Sequence, residues 1–207
     1  MSFTYLRDPE AIYRQSFALI RAETDLSSVP PGLHPLVLRL VHACGMPDIL
    51  GNLAWGGDPG GAGRAALAAG APVLVDAQMV AHGLSRRHLE TNRVICTLDA
   101  AQAKAGDTRS AAAVEMWAPY LAGAVVAIGN APTALFRLLE ILAAGAPRPA
   151  VILGFPVGFV GAAESKDALI AAAGEVPFLT LRGRVGGSAL AAAAVNALAL
   201  PDPEGAP

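Results

Sequence analysis

Val125-Val126-Ala127-Ile128-Gly129-Asn130-Ala131-Pro132-Thr133-Ala134-Leu135 decides the fold of this chain. Its first four residues are apolar and read as a buried strand, Val125 to Ile128. The strand stops at Gly129, and Asn130 is placed to cap a helix that opens at Pro132. A proline in a first helical turn loses nothing, because the N–H it lacks would have no partner there. A strand that turns straight into a helix is the elbow where α/β proteins bring ligand groups to a helix N-terminus.

The same scheme extends in both directions. Before the elbow, Val73 to Val75 is a short buried strand ending at Asp76. Met79 to Leu84 reads as one helical turn, Arg93 to Thr97 as a second strand, and Thr108 to Tyr120 as a helix. After the elbow, the helix from Pro132 ends at Ala144. Ala150 to Gly154 is the fourth strand, Ala162 to Ala173 a helix, Pro177 to Leu181 the fifth strand, and Ser188 to Leu200 the last helix. Leu67-Ala-Ala-Gly-Ala-Pro72 recurs as Leu142-Ala-Ala-Gly-Ala-Pro147. In each copy a glycine sits where a helix C-terminus takes a left-handed residue, and proline blocks continuation. This is one helix-to-strand joint used twice.

The first third is helical. Asp8-Pro9-Glu10 opens a helix that runs to about Thr24, and His34-Pro35 opens a second that runs to about Cys44. Asp58-Pro59 starts a third, closed by Gly70, while Pro47 to Gly57 fits a strand or an irregular segment equally well. Short apolar strands alternating with helices predict a three-layer, doubly wound α/β fold with a mainly parallel, five-stranded sheet. Residues 1–200 are read as one domain and 201–207, rich in Pro, Asp and Glu, as a frayed tail.

Composition narrows the function. Of 207 residues 54% are apolar and 15% charged, enough for an ample core and for a surface buried by a partner subunit. A net charge of −2 argues against general nucleic-acid binding. No apolar run reaches the ~20 residues that span a bilayer. Met1 to Asp8 lacks a signal peptide's basic start and apolar run. Cys44 and Cys96 form neither a disulfide framework nor a metal pattern, which points to a reduced protein in the cytoplasm. Arginines outnumber lysines thirteen to two, and guanidinium groups suit bidentate recognition of carboxylates.

In a doubly wound sheet the ligand crevice lies beyond the carboxyl ends of the strands. That places Asp76, Asp99, Asn130, Thr133, Pro156 to Gly161 and Arg182 to Ser188 around it. The last three of these loops lead into helix N-termini and suit an anionic ligand. Gly56 to Arg64 looks like a phosphate loop but lacks the Gly-Lys-Ser/Thr ending, and no dinucleotide motif follows the first strand. His34 reads as a helix-start residue, and His82 and His88, beside Arg86-Arg87, as exposed. None has metal-ligand spacing. His42 differs: Pro35, Arg39 and His42 fall on one helix stripe, with Arg39 one turn from the imidazole. That pair is a candidate acid–base element, although a histidine on a helix surface beside an arginine satisfies the same spacing.

Several separated motifs resemble one family, the precorrin-8X methylmutases. They are Ser16-Phe17 with Glu23, Arg39-Leu40-Val41-His42-Ala43, Asp76 with Met79, and Thr108-Arg109-Ser110-Ala111-Ala112. Gly129 to Leu135, Pro156 to Ala162 with Lys166, and Gly186-Gly187-Ser188 complete the set. The resemblance spans about Tyr5 to Leu198. It implies a flavodoxin-like strand order and a homodimer with the site near the interface. It also implies a cofactor-free isomerase of cobalamin biosynthesis that moves a methyl group from C-11 to C-12 of the corrin ring, converting precorrin-8X to hydrogenobyrinic acid. His42 matches the family's catalytic histidine, a proton donor and acceptor toward the macrocycle near the ring C nitrogen. Ser16 and Arg39 match substrate-binding positions. Asn130, Thr133, Gly187 and Ser188 are further substrate contacts chosen from their helix N-terminal placement. No metal is expected, and the overall resemblance leans toward a metal-free ring over a cobalt-bearing one. Two other classes stay in view: a phosphate-ligand enzyme on the same sheet, and a corrinoid carrier without catalysis.

Overall fold

The computed structural model describes residues 3–200. In chain order its helices are α1 (Pro9–Glu23), α2 (His34–Cys44), α3 (Pro59–Ala68), α4 (Gln78–Gly83), α5 (Arg109–Glu115), α6 (Pro132–Ala143), α7 (Ala162–Ala172) and α8 (Ser188–Ala199). The strands are β1 (Leu53–Gly56), β2 (Val73–Val75), β3 (Val94–Ile95), β4 (Val125–Ile128), β5 (Val151–Gly154) and β6 (Phe178–Leu181). The tail expected from Pro201 lies outside the described residues.

The strands form one sheet in the order β1-β6-β5-β4-β2-β3. From β3 to β6 all pairings are parallel, and this part has the flavodoxin-like order. The expected five strands become six because the ambiguous segment after Pro47 ends in β1, an antiparallel edge strand on β6. Its direction follows from α2. That helix ends at the carboxyl end of the sheet, so the next strand must run back down. The Arg182 N–H donates to the Asn52 carbonyl at 2.7 Å, tying the entrance of β1 to the exit of β6.

Alternation along the strands builds two cores. Val125, Ala127, Val151, Leu153, Leu179 and Leu181 point toward α2, α3, α4 and α8. Val126, Ile128, Ile152 and Phe178 point toward α5, α6 and α7. In the second core the segment expected to be helical from Thr108 to Tyr120 divides. Helix α5 ends at Glu115, and Ala118–Tyr120 is a separate 3-10 turn. Between them Trp117 is fully buried and its indole N–H donates to Thr97 Oγ1 at 3.0 Å. The repeated Leu-Ala-Ala-Gly-Ala-Pro joint has the same geometry twice. Gly70 (φ 77°) and Gly145 (φ 93°) are left-handed, and the Ala71 and Ala146 N–H groups reach back to the Ala66 and Ile141 carbonyls at 3.0 Å.

Helices α2 and α8 pack antiparallel. Pro35, at the start of α2, shares a cavity lining with Ala197 and Leu200, at the end of α8. His42, near the other end of α2, is therefore carried toward the start of α8. That start is pressed onto the end of β4. A Cβ on Gly129 would lie 2.7 Å from Ala191 Cβ and 2.8 Å from Ser188 Cα. Gly129→Ala is accordingly expected to cost about 1–3 kcal/mol by overpacking. Unchanged unfolding in urea would show that α8 can move away freely.

Candidate functional site

Two groups of predicted site residues lie at the carboxyl end of the sheet. The first is built on α1 and α2. Asp8 caps α1 through the N–H groups of Glu10 (3.3 Å) and Ala11 (3.2 Å). Along that helix Tyr13, Ser16 and Phe17, three and four residues apart, share the face toward α2. Phe17 is the anchor, 2% exposed. The His42 ring stacks on it with centroids 5.0 Å apart, and the Arg39 guanidinium lies over it at 5.6 Å. Ser16 Oγ hydrogen-bonds His42 Nδ1 at 3.1 Å, and Arg39 Nη2 donates to Tyr13 Oη at 3.1 Å.

This arrangement leaves chemistry available. With Nδ1 held by Ser16, His42 Nε2 has no hydrogen-bond partner among the described residues. When Ser16 Oγ accepts from Nδ1–H, Nε2–H of the imidazolium is an acid, and once that proton has left, Nε2 of the neutral ring is a base. One hydroxyl acceptor serves both states of the imidazole. Arg39 has no acidic partner among the described residues, and its Nε is buried without a hydrogen bond. Beside them is a cleft of about 330 Å³ lined by Ser16, Leu19, Ile20, Glu23, Val41, His42, Gly45 and Pro47.

The second group is the strand-end loops, where one expectation is corrected. Asn130 does not cap α6: the cap position is Ala131, and no side chain of the segment bonds there. Asp76, from the end of β2, performs that task. Its carboxylate accepts the N–H groups of Gly129 (2.8 Å), Asn130 (2.9 Å) and Ala131 (2.8 Å). The elbow's donors are thus already spent on an internal anion, and Asn130 can meet a ligand only through its side chain. Burial pushes the Asp76 carboxyl above the usual carboxylate range, and the three N–H donors oppose that shift. Thr133 is held in the first turn of α6 by Thr108 Oγ1, which donates to its hydroxyl at 2.8 Å. Gly187 and Ser188 start α8 with no side-chain cap, and the Gly187 N–H donates to the Phe155 carbonyl at 2.8 Å. Among the described residues no hydrogen bond joins this group to the α1–α2 group.

The remaining sequence candidates have structural roles. Asp58 caps α3 through the Gly61 N–H at 2.8 Å, which explains the phosphate-loop look of Gly56 to Arg64. His34 Nε2 bonds the Val29 carbonyl at 2.8 Å. His82 is exposed, but His88 is half-buried, contrary to expectation. Tyr13 escaped the sequence reading, although its spacing from Ser16 and Phe17 was a usable signal. The Asp76 clamp had none, since its partners lie more than fifty residues away. Removing it should be costly. Asp76→Ala leaves three N–H groups without an acceptor, one buried and two half-buried, and about 3 kcal/mol of stability is expected to go. Asp76→Asn keeps one acceptor oxygen and should fall between. A urea midpoint for Asp76→Ala equal to the parent's would mean that the elbow is held by other contacts.

Comparison with known proteins gives a consistent picture. The family model described as CbiC, precorrin-8X methylmutase, matches residues 11–200. The precorrin-8X methylmutase of Pseudomonas aeruginosa is 61% identical over 94% of this chain and 97% of its own length. The cobalt-precorrin-8 methylmutase of Priestia megaterium is 33% identical over 93% of this chain and 88% of its own. The crystal structure of the precorrin-8X methylmutase from Thermus thermophilus superposes with a TM-score of 0.83 at 38% identity. It covers 91% of this chain and 94% of that one.

Proposed function

The chain belongs to the precorrin-8X methylmutase family, and from that premise we propose that His42 is its acid–base residue, in a crevice between the α1–α2 pair and the strand-end loops. The chain is an isomerase of cobalamin biosynthesis. The methyl group moves from C-11 to C-12 of the ring, and precorrin-8X becomes hydrogenobyrinic acid. No atom is gained or lost, so the protein's task is to select a tautomer, deliver one proton and hold the macrocycle in a shape that favours migration.

The observation that carries the role of His42 is its setting. Ser16 fixes Nδ1, Phe17 supports the ring face, and Nε2 is left for the substrate. Protonating the macrocycle near the ring C nitrogen and taking the proton back cycles Nε2 between imidazolium and neutral ring, and the Ser16 oxygen can accept from Nδ1–H in both states. Arg39, without an acidic partner, takes a side-chain carboxylate of the ring. The side chains of Asn130, Thr133 and Ser188 receive others, and Gly187, whose own N–H is taken by Phe155, leaves room for them at the start of α8. The substrate is taken to be the metal-free ring, because the relative named for it is 61% identical and the one named for the cobalt form 33%.

A corrin exceeds the 330 Å³ cleft, which holds one edge of it. A second copy of the chain supplies the opposite wall. Exposed apolar side chains favour this: Tyr5, Tyr13 and Leu19 around α1, and Phe159 and Val160 (85% and 88% exposed) before α7. Cys44 and Cys96 are both free thiols, in keeping with a cytoplasmic site of action. Among the described residues no helix is long and apolar enough to cross a membrane.

The test is an absorbance time course with metal-free precorrin-8X. The parent is expected to give the hydrogenobyrinic acid spectrum. His42→Ala should bind the product as the parent does but turn over about 10²-fold or more slowly. Equal rates would remove His42 from the chemistry. Arg39→Ala should weaken product binding by about 1.5–3 kcal/mol, the worth of a hydrogen bond to a charged group. An unchanged affinity by titration would refute that role.

A further inference from the structure

Lys166 is one of two lysines in the chain and is fully buried. It sits in α7, on the sheet face opposite α8, yet its only side-chain hydrogen bond among the described residues goes to the loop that leads into α8. Nζ donates to the Val185 carbonyl at 2.8 Å. That loop is pinned from its other side as well, by the Gly187 N–H on the Phe155 carbonyl at 2.8 Å. Gly186 is pressed so closely on the Phe155 and Pro156 carbonyls that no side chain fits there. Between these two ties the backbone turns and begins α8 without a cap.

We propose that Lys166 is a positioning residue for the substrate site, acting through the Val185 carbonyl to hold the loop that presents Gly187 and Ser188 to the carboxylates of the ring. The proposal rests on the reading of those two residues as substrate contacts. A buried amine is an expensive way to fill space. Burial lowers its pKa to about 8, and an apolar side chain of the same reach would suit the helix better. The neighbouring Asp167 carboxylate does not neutralise it by contact, since it pairs with Arg182 at 3.4 Å. What the amine does that a methionine could not is reach across to a carbonyl in a glycine-rich turn and hold it. Before the Gly186–Phe155 contact the loop has few other restraints: Gly183 has a positive φ, the side chains of Arg184 and Val185 are exposed, and Arg184 reaches only the ring of the exposed Phe159, at 5.1 Å.

Lys166→Met separates positioning from folding and from chemistry. The variant is expected to melt at or above the parental temperature. It should bind hydrogenobyrinic acid about tenfold more weakly and raise KM by a similar factor, the loss of one charged hydrogen bond's worth of order. Its kcat should stay within about threefold, because the proton donor is untouched. His42→Ala, run alongside, should show the opposite split. Parental affinity and KM in Lys166→Met would overturn the proposal while leaving the methylmutase assignment intact. So would a fall in kcat at constant KM. A parent that binds the product without converting precorrin-8X would instead count against His42 and the substrate reading. If Lys166→Met does not fold, Lys166→Gln, whose shorter side chain stops short of the Val185 carbonyl, serves in its place: about tenfold weaker binding with normal melting supports the tether, and parental affinity overturns it.

Discussion

The structure depends on one buried carboxylate. Asp76, at the end of β2, gathers three N–H groups from the turn between β4 and α6. Those donors would otherwise be orphaned at a helix N-terminus that the chain leaves without a side-chain cap. The clamp fixes the neighbouring ends of β2 and β4 and the direction in which α6 departs. It also decides what the elbow cannot do. The N–H groups of Gly129, Asn130 and Ala131 have taken an internal anion and are closed to an external one, whereas the starts of α7 and α8 carry no side-chain cap.

The α1–α2 side of the proposed crevice follows from a different constraint, the antiparallel packing of α2 on α8. It brings the end of α2 to the level where α8 begins, and so brings an imidazole from the N-terminal third of the chain to the mouth of a sheet built by the rest. Helix α1 then lies against α2 through a single buried ring, Phe17. That ring supports His42 and Arg39 together while Ser16 and Tyr13 orient them from the next positions on the same face. The proposed acid–base group is thus held by a helix pair, and the proposed carboxylate contacts by loops of the sheet. A ligand that bridges the two must be broad, as a corrin ring is.

Much of the fold could be read from the chain. Val73 to Val75, Val125 to Ile128 and Ala150 to Gly154 are apolar and short, and each is bounded by Gly, Pro or Asp. In the structure they are β2, β4 and β5 to within a residue. The helix starts at Asp8-Pro9 and Asp58-Pro59 announce themselves because capping is local chemistry, a side chain bonding N–H groups two or three residues away. The same locality made the Leu-Ala-Ala-Gly-Ala-Pro joint legible twice. The strand at Leu53–Gly56 was not, because its partner β6 lies more than a hundred residues later and its pattern is too short to exclude a loop. The split after Glu115 was hidden for a similar reason. Trp117 breaks the helical run by burying its ring and bonding Thr97, a contact made across the core.

The sequence by itself determined the alternation of strands and helices, the helix boundaries set by local caps, the stripe that puts Arg39 beside His42, and the family. These depend on residues within a few positions of one another, or on motifs recognisable one at a time. Only the tertiary structure decided that Asp76 and not Asn130 closes the elbow, that Tyr13, Ser16 and Phe17 hold the arginine and the histidine, and that a lysine in α7 reaches the loop before α8. Each of these joins groups at least 19 residues apart across packed elements. Separation of that kind is fixed by the burial of helix and sheet faces, and no local propensity encodes it.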